Sequence, residues 1–509
     1  MNRSALMSPR AGLSLIAAGV AALVLFVLMR NGPAQFLDAG SYAAGIDAIS
    51  HGRGLNTALA PSFSNFSVLE FVARRGSIPF VDFPLGYPLL AAIPALAFGA
   101  RYAMILVAVL SSAALVGLVT LGPQVAPQPA RVGTTLNRAL LGSGLVCLPM
   151  FQAVTRAGLS EPLFCLLLVA MLKLLLDAEQ RPQRAKWAVL VAGLAGAVRF
   201  VGLPIIALPA LLMLRQQGWR KAWPWALAGL APATANVLWA SAVGSGHVVG
   251  VRDISRTDIR FLVHSITGWV YHPYGVFDLL LAGQGRPPWW AYAVVLAVVT
   301  LAALAAVSVI LGRGWLPRPI ELALVVSATL TAGLLGGMLL FDSLVAPDNR
   351  LMLPSGVITI VGVGWWASER FVVPVGAAVI ASWVVLAVAP WKLGVTHPSA
   401  RDAYLIQAVG SARTVISDNA DSVWWQTGVP AAYLPMPARL LTGEAVDQKG
   451  EIEALPCLLA KQQGAIVLIG GPFVDGSAQT LLLELVRSGV LTHETFGTVQ
   501  RFTPTGAGC

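Results

Sequence analysis

The sequence predicts an all-α polytopic membrane protein of about eleven transmembrane helices, with a small α/β extracytoplasmic domain at its C-terminal end. Three observations predict it. Of 509 residues 56% are hydrophobic and only 11% charged, and the mean hydropathy is +0.73. Apolar runs such as 11–29 (AGLSLIAAGVAALVLFVLM) are long enough, at about 1.5 Å per residue, to cross a hydrocarbon core of roughly 30 Å. The basic residues collect in short loops between such runs. That composition excludes a water-soluble enzyme. The net charge of +10, from 34 Lys and Arg against 24 Asp and Glu, reads as positive-inside bias, so no nucleic-acid partner is expected.

The elements follow in order. Arg3 and Arg10 precede the first run and no small-residue cleavage site follows it, so the run is an uncleaved first span with a cytoplasmic N-terminus. A polar stretch, 30–83, comes next, then apolar runs at 101–122, 139–157, 161–177, 187–214, 222–242, 289–311, 320–341, 350–366 and 371–390. The run 187–214 is expected to be a hairpin broken near Gly202 and Pro204, because the Gly and Pro interrupt it. Each half of about 14 residues, roughly 21 Å, is too short to cross unaided, which places the break at membrane depth inside the protein. Residues 84–98 are expected to form a juxtamembrane or partly inserted helix. With that register every cytoplasmic loop is basic: Arg131 and Arg138; Arg181, Arg184 and Lys186; Arg215, Arg220 and Lys221; Arg313 and Arg318; Arg370. The opposite loops then hold most of the acids, among them Asp38, Asp82, Glu161, Asp253, Asp342 and Asp348.

An odd number of spans leaves 391–509 outside, after a membrane domain covering 1–390 whose stretch 30–100 is an extracytoplasmic loop. Within 391–509 a β-like run (413–418), a helical stretch (451–464), a second run (465–471) and another helix (478–491) predict a small α/β domain. The four cysteines, Cys147, Cys165, Cys457 and Cys509, have neither zinc-site nor redox spacing. Cys457 and Cys509 share the outer domain, where a disulfide and two free thiols are both open.

Several charged residues sit where a membrane would not keep them idly. Asp38, directly after a span, suits a general base at the mouth of a membrane site, or an N-cap for a helix beginning near Ala39. Asp82, before Pro84, is a second acid at the same surface or a turn residue, with the turn favoured. Arg199 lies inside the apolar hairpin just ahead of its break, where a cation and a broken helix both favour an anionic ligand; snorkelling is the alternative. Arg350 opens a span on the outer side and suits bidentate phosphate binding, or a pair with Asp348 or Asp342. Arg156 and Glu161 are expected to pair across a short turn. Arg252, Arg256 and Arg260, spaced by four, would make a basic stripe on a helix, for a lipid phosphate or simply for solvent. His264 and His272 lack a third ligand at metal-site spacing, so no metal site is expected.

Taken in order, LDAGSYAAGIDAISHGRG after the first span, FVDFPLGYPLLAAIPALAFG, TRAGLSEPLFCLLLVAMLKLL, GLAGAVRFVGLPIIALPALL, PDNRLMLPSG and VISDNADSVWWQTGVPAAYLP resemble the GT-C superfamily of polyprenyl-phosphate-sugar glycosyltransferases. The resemblance covers most of the chain and rests on the order and sidedness of the segments. It implies an inner-membrane enzyme that transfers a sugar, with inversion, from a polyprenyl-phosphate donor to an acceptor hydroxyl of a cell-envelope glycan or glycolipid on the extracytoplasmic side. Asp38 then matches the first-loop general base. Tyr42, Asp82, Tyr87, Glu161 and His272 would line the acceptor and donor cavity, and Arg199 and Arg350 would hold the donor phosphate. Phe83 stands where some members carry a phosphate-binding lysine. No cofactor is required, although some members use a divalent cation. Trp424, Trp425 and Tyr433 would stack on sugars or form the core of the outer domain, with the core favoured. A transporter or flippase of an anionic lipid is the competing reading, disfavoured because one broken hairpin has no matching half. A glycan-binding or protein-binding scaffold ranks last.

Overall fold

The computed structural model describes residues 9–28, 37–60, 66–81, 83–123, 132–243, 316–340, 349–370, 402–436, 446–470 and 476–506. Helices dominate it, and a small mixed sheet caps one end of the helical bundle.

The bundle begins with α1 (Pro9–Leu28), which lies along α5 (Ala100–Leu121). Ser14 Oγ donates to the carbonyl of Gly117 at 2.7 Å, a contact the missing side chain at Gly117 lets the two backbones reach. Helices α2 (Leu37–Ser50), α3 (Val68–Ala73) and α4 (Gly86–Phe98) precede α5. Helix α4 has thirteen residues, about 20 Å, with Tyr87, Ala91 and Ala95 buried and Leu89, Ile93 and Leu96 exposed. After α5 come α6 (Val132–Cys147), α7 (Pro149–Arg156) and α8 (Glu161–Ala178). Helix α8 is buried along most of its length and packs on α5 and on α9 (Arg184–Val198).

At the end of α9 the chain does double back, but the break falls at Arg199, before the Gly and Pro. Arg199 is extended (φ −147°, ψ 129°), and Phe200–Ile206 then wind as a 3-10 helix. Pro204 has no N–H to give to an α-type bond, and Gly202 already donates to Arg199 at 2.8 Å in the tighter i→i+3 pattern. Helix α10 (Ala207–Gln217) completes the hairpin, and Gln217 Nε2 donates at 2.7 Å to the carbonyl of Pro182, just before α9. Helix α11 (Trp219–Val243) then rises beside α9: a Cβ on Gly193 would stand 2.2 Å from the carbonyl oxygen of Gly229. Helices α12 (Arg318–Leu340) and α13 (Asn349–Arg370) close the bundle against α8 and the 3-10 segment.

Among the described residues two helical segments are long and apolar enough to cross a bilayer, Ala100–Leu121 and Phe200–Gln217, with Ala11–Val27 and Gly86–Phe98 as shorter apolar helices. Of the remaining spans the sequence predicts, 289–311 and 371–390 lie outside the described residues. Helix α8 carries Glu161, Lys173 and Asp177; the last is 2% exposed and pairs with Lys173 at 2.6 Å and with Arg184.

The α/β unit reaches beyond 391–509. Its six-stranded sheet has the order β2-β5-β4-β6-β8-β7, and β2 (Leu59–Ala60) comes from the first loop. The loop also supplies a small antiparallel pair, β1 (Asn56–Thr57) with β3 (Ile78–Pro79). Leu59 registers with Ala431 in β5 (Ala431–Tyr433), which runs parallel to β4 (Val415–Ser417), itself parallel to β6 (Ala465–Leu468). Parallel neighbours need crossovers. Here they are α15 (Ala420–Thr427), which follows the short α14 (Ala403–Val409), and α16 (Gln448–Gln462). After α17 (Gly476–Arg487) an antiparallel hairpin, β7 (Leu491–Phe496) and β8 (Val499–Pro504), turns at Gly497 (φ 58°) and sets Phe502 against Ile466. Loop helix α3 packs on α16, with Gln462 Nε2 donating to the carbonyl of Val72. Phe71, Ile416, Leu455, Ile466 and Phe502 share the apolar core of the unit. Cys457 is disulfide-bonded and Cys147 and Cys165 are free; Cys509 lies outside the described residues.

Candidate functional site

The site sits where α2, the starts of α4 and α8, and the end of α9 converge beneath the α/β unit. Helix α2 is rich in Ala, Gly and Ser, so its backbone approaches its neighbours closely. At Gly45 a Cβ would lie 2.8 Å from the ring of Phe80, and at Gly40 it would lie 2.4 Å from Asp421 Oδ1 on α15. Asp38 is half-buried in the first turn of α2, inside the helix instead of capping it at Ala39. A carboxylate there is favoured by the positive end of the helix dipole.

Tyr42 lies one turn on from Asp38 and on the same face. It is 3% exposed, its hydroxyl is 3.3 Å from Ser160 Oγ, and its ring packs on Phe83 (4.6 Å between centroids) and edge-on to Tyr87 (5.2 Å). Burial pushes the Tyr42 hydroxyl up to about 12, with the carboxylates of Glu161 and Asp38 adding to the rise and Arg199 and Ser160 opposing it. Ser160 immediately precedes α8 and also accepts a hydrogen bond from Arg199 Nη1 at 3.3 Å. The same Nη1 is 2.5 Å from Glu161 Oε1, and the two side chains are 16% and 1% exposed. Tyr42, Ser160, Glu161 and Arg199 thus form one chain of polar contacts, with the charge of Asp38 within electrostatic reach of Tyr42. Asp38 and Arg199 are the members of this group that are not fully buried.

One expectation is corrected. Glu161 pairs with Arg199, not Arg156, because the first turn of α8 faces the point where α9 breaks. Tyr87 is fully buried behind Tyr42, with its hydroxyl donating to the carbonyls of Gly158 and Met104 (3.4 Å to the latter). Asp82, His264, His272, Arg252, Arg256, Arg260, Asp342 and Asp348 lie outside the described residues, as does the side chain of Arg350 in the first turn of α13.

Trp424 and Trp425 belong to the core, 4% and 3% exposed, with the Arg101 guanidinium 5.7 and 4.9 Å from their ring centroids. This cation–π contact and the Arg101 hydrogen bond to the carbonyl of Trp424 (3.4 Å) tie α15 to the start of α5.

Sequence reasoning missed Ser160 and Asp421. Asp421, 4% exposed, accepts from the Tyr433 hydroxyl at 2.6 Å, while its Oδ1 is buried against Gly40 with no hydrogen-bond partner among the described residues. Burial, reinforced by Asp38, lifts its carboxyl to about 7 from an ordinary value of 3.8, against the opposing pull of Tyr433. An acid whose pKa rises on folding is protonated more readily in the folded chain. Stability therefore falls as pH climbs from about 4 towards about 7 and levels off above it. Asp421→Asn is expected to flatten that part of the pH profile and to raise the melting temperature at pH 8, as read by thermal melts in detergent. Gly40→Val forces a methyl-bearing carbon onto Asp421 Oδ1 and is expected to destabilise the protein by about 1–3 kcal/mol, checked in the same melts.

Among the described residues no group of three or more His, Cys, Asp or Glu side chains is placed to hold a metal ion. No protein-family model and no curated protein matches the chain. Two solved structures are similar to it along nearly its whole length. The ArnT protein from Cupriavidus metallidurans in the apo state superposes with a TM-score of 0.46 at 12% identity, covering 97% of this chain and 98% of that one. The same protein bound to undecaprenyl phosphate gives a TM-score of 0.48 at 12% identity, with 98% of each chain covered.

Proposed function

We propose that the protein is an integral inner-membrane glycosyltransferase that moves a sugar from a polyprenyl-phosphate donor to an acceptor hydroxyl on the extracytoplasmic side. The observation that carries this reading is the presence, each within electrostatic reach of Tyr42, of a half-buried carboxylate, Asp38, and a partly exposed arginine, Arg199, the latter held from behind by Glu161 and Ser160. A base and a fixed cation in one low-water site are what transfer from a phosphate ester needs. The acceptor oxygen attacks the anomeric carbon from the face opposite the phosphate, and its proton passes to Asp38. The bond between the anomeric carbon and the phosphate oxygen breaks, and the electron pair leaves on the phosphate, whose charge Arg199 stabilises. Inversion follows from the single displacement. Arg350 is the second cation of the scheme, and Tyr42, Asp82 and His272 are the remaining candidates to contact the sugar or acceptor. No step is routed through a metal.

The test is transfer of radiolabelled sugar from a panel of synthetic polyprenyl-phosphate sugars, in membranes expressing the wild type, Asp38→Asn and Arg199→Ala. One donor consumed by the wild type and spared by Asp38→Asn identifies the donor and supports the base. Lipid binding without turnover of any donor overturns the enzyme reading in favour of a transporter.

A further inference from the structure

Two N–H donors on one face of α11 have no partner among the described residues. The Asn236 amide is assigned by its surroundings: the backbone N–H of Leu85 can only donate and lies 3.1 Å from Oδ1, so the oxygen faces α4 and the NH₂ group faces away. That Nδ2 is buried without a hydrogen-bond partner in a residue 6% exposed, and so is the indole Nε1 of Trp239, three residues on. Residues at i and i+3 are neighbours on a helix surface. Leaving one buried donor unpaired costs about 1–3 kcal/mol, and a native fold seldom keeps two side by side unless something else meets them.

Their level in the bundle is fixed by contacts above and below. Gly229 of α11 touches Gly193 and Val189 of α9, and Asn236 touches Leu85, beside the point where Gly86 meets the Ala197 carbonyl. The two helices therefore rise together, and Asn236 stands near the height of Ala197, two residues before Arg199. Val243, one turn beyond Trp239, packs on the core of the α/β unit. Trp239 thus lies between the start of α4 and that unit, at the level of Arg199. The neighbouring Val237 and Leu238 are exposed, whereas Trp239 packs on the main apolar core.

We propose that Asn236 Nδ2 and Trp239 Nε1 form a neutral donor pair that contacts phosphate oxygens of the lipid-linked donor, beside Arg199. The inference rests on the glycosyltransferase reading for the identity of the ligand. Neutral donors suit a phosphate whose charge is already met by arginine, because they fix its orientation without adding to the cost of burying charge.

Full-length protein in detergent is titrated with a synthetic prenyl monophosphate, with the matching prenyl alcohol and with inorganic phosphate, and binding is read by thermal stabilisation. The wild type is compared with Asn236→Asp, which keeps the acceptor for Leu85 and replaces the NH₂ donors by oxygen. The second variant, Trp239→Phe, removes the N–H and keeps an aromatic ring. Prenyl phosphate is expected to bind roughly tenfold more weakly to each variant, with the melting temperature of ligand-free Trp239→Phe held within a few degrees of wild type. Equal affinity for wild type and both variants overturns the donor pair and leaves the glycosyltransferase reading standing. A wild type indifferent to prenyl phosphate, and turning over no donor, overturns both. Inorganic phosphate reproducing the whole pattern overturns the assignment to a lipid. If Asn236→Asp does not fold, the Trp239→Phe comparison decides alone.

Discussion

Asp38→Asn is expected to leave the lipid donor bound and to reduce transfer by about 10²–10⁴-fold, the usual contribution of a positioned general base. The substitution keeps the shape of the side chain and removes its ability to take a proton, so the loss should appear in kcat with KM for the donor little changed. Asp38→Glu should recover part of the activity, because the carboxylate returns, displaced by one methylene. Equal losses in kcat and in thermal stability would instead make Asp38 a support for α2. Initial rates with the donor identified by the radiolabel panel, measured alongside melts, separate the two.

Arg199→Ala is expected to cost both stability and activity, since it strands the Glu161 carboxylate, 1% exposed, without its cation. Removing one member of a buried pair costs about 3–5 kcal/mol, much of it the penalty on the charge left behind. Glu161→Gln should be milder in stability but should still weaken donor binding, because Arg199 loses the group that fixes its guanidinium. The double variant Glu161→Gln, Arg199→Ala should be more stable than Arg199→Ala alone, while remaining as inactive. A double-mutant cycle in denaturation midpoints reads the coupling directly, and strict additivity would rule out a working ion pair.

The residues that told most in the sequence were charges in the wrong place. Asp38 after an apolar run and Arg199 within one are conspicuous because hydrocarbon penalises them, and both lie at the convergence of helices beneath the α/β unit. Their partners were not legible. Ser160 precedes Glu-Pro as any turn serine does, and only the fold brings it within reach of residues 42 and 199. The sequence pairs Glu161 with its nearest cation, Arg156, since spacing along a chain says nothing about which helix end lies opposite. Tyr87 follows the same logic: the resemblance sets it in the cavity, and nothing in its spacing reveals the carbonyls of Gly158 and Met104 that take its hydroxyl. In the α/β unit the apolar runs around β4 and β6 predict strands, and α16 and α17 fall within a few residues of the predicted helices 451–464 and 478–491, whereas the short α14 and α15 have no counterpart in the prediction. Strand β7 has no strand signal in the sequence because its residues, LTHETF, are mostly exposed and show no apolar alternation, and only Leu491 falls within the predicted helix 478–491. Strand β2, two residues long, carries no periodic signal at all.

That short strand makes the order of assembly matter. A sheet edge supplied by the first loop and completed by a strand some 370 residues later obliges the loop, made early, to wait through the synthesis of the bundle before its partner Ala431 arrives. The terminal segment, released as a fragment, would present the open flank of β5 to any extended peptide nearby and would tend to self-associate. Joined to its loop it has a built-in stopper, so quality control during biogenesis can be exerted at one place, the zipping of residues 59–60 onto 431–432.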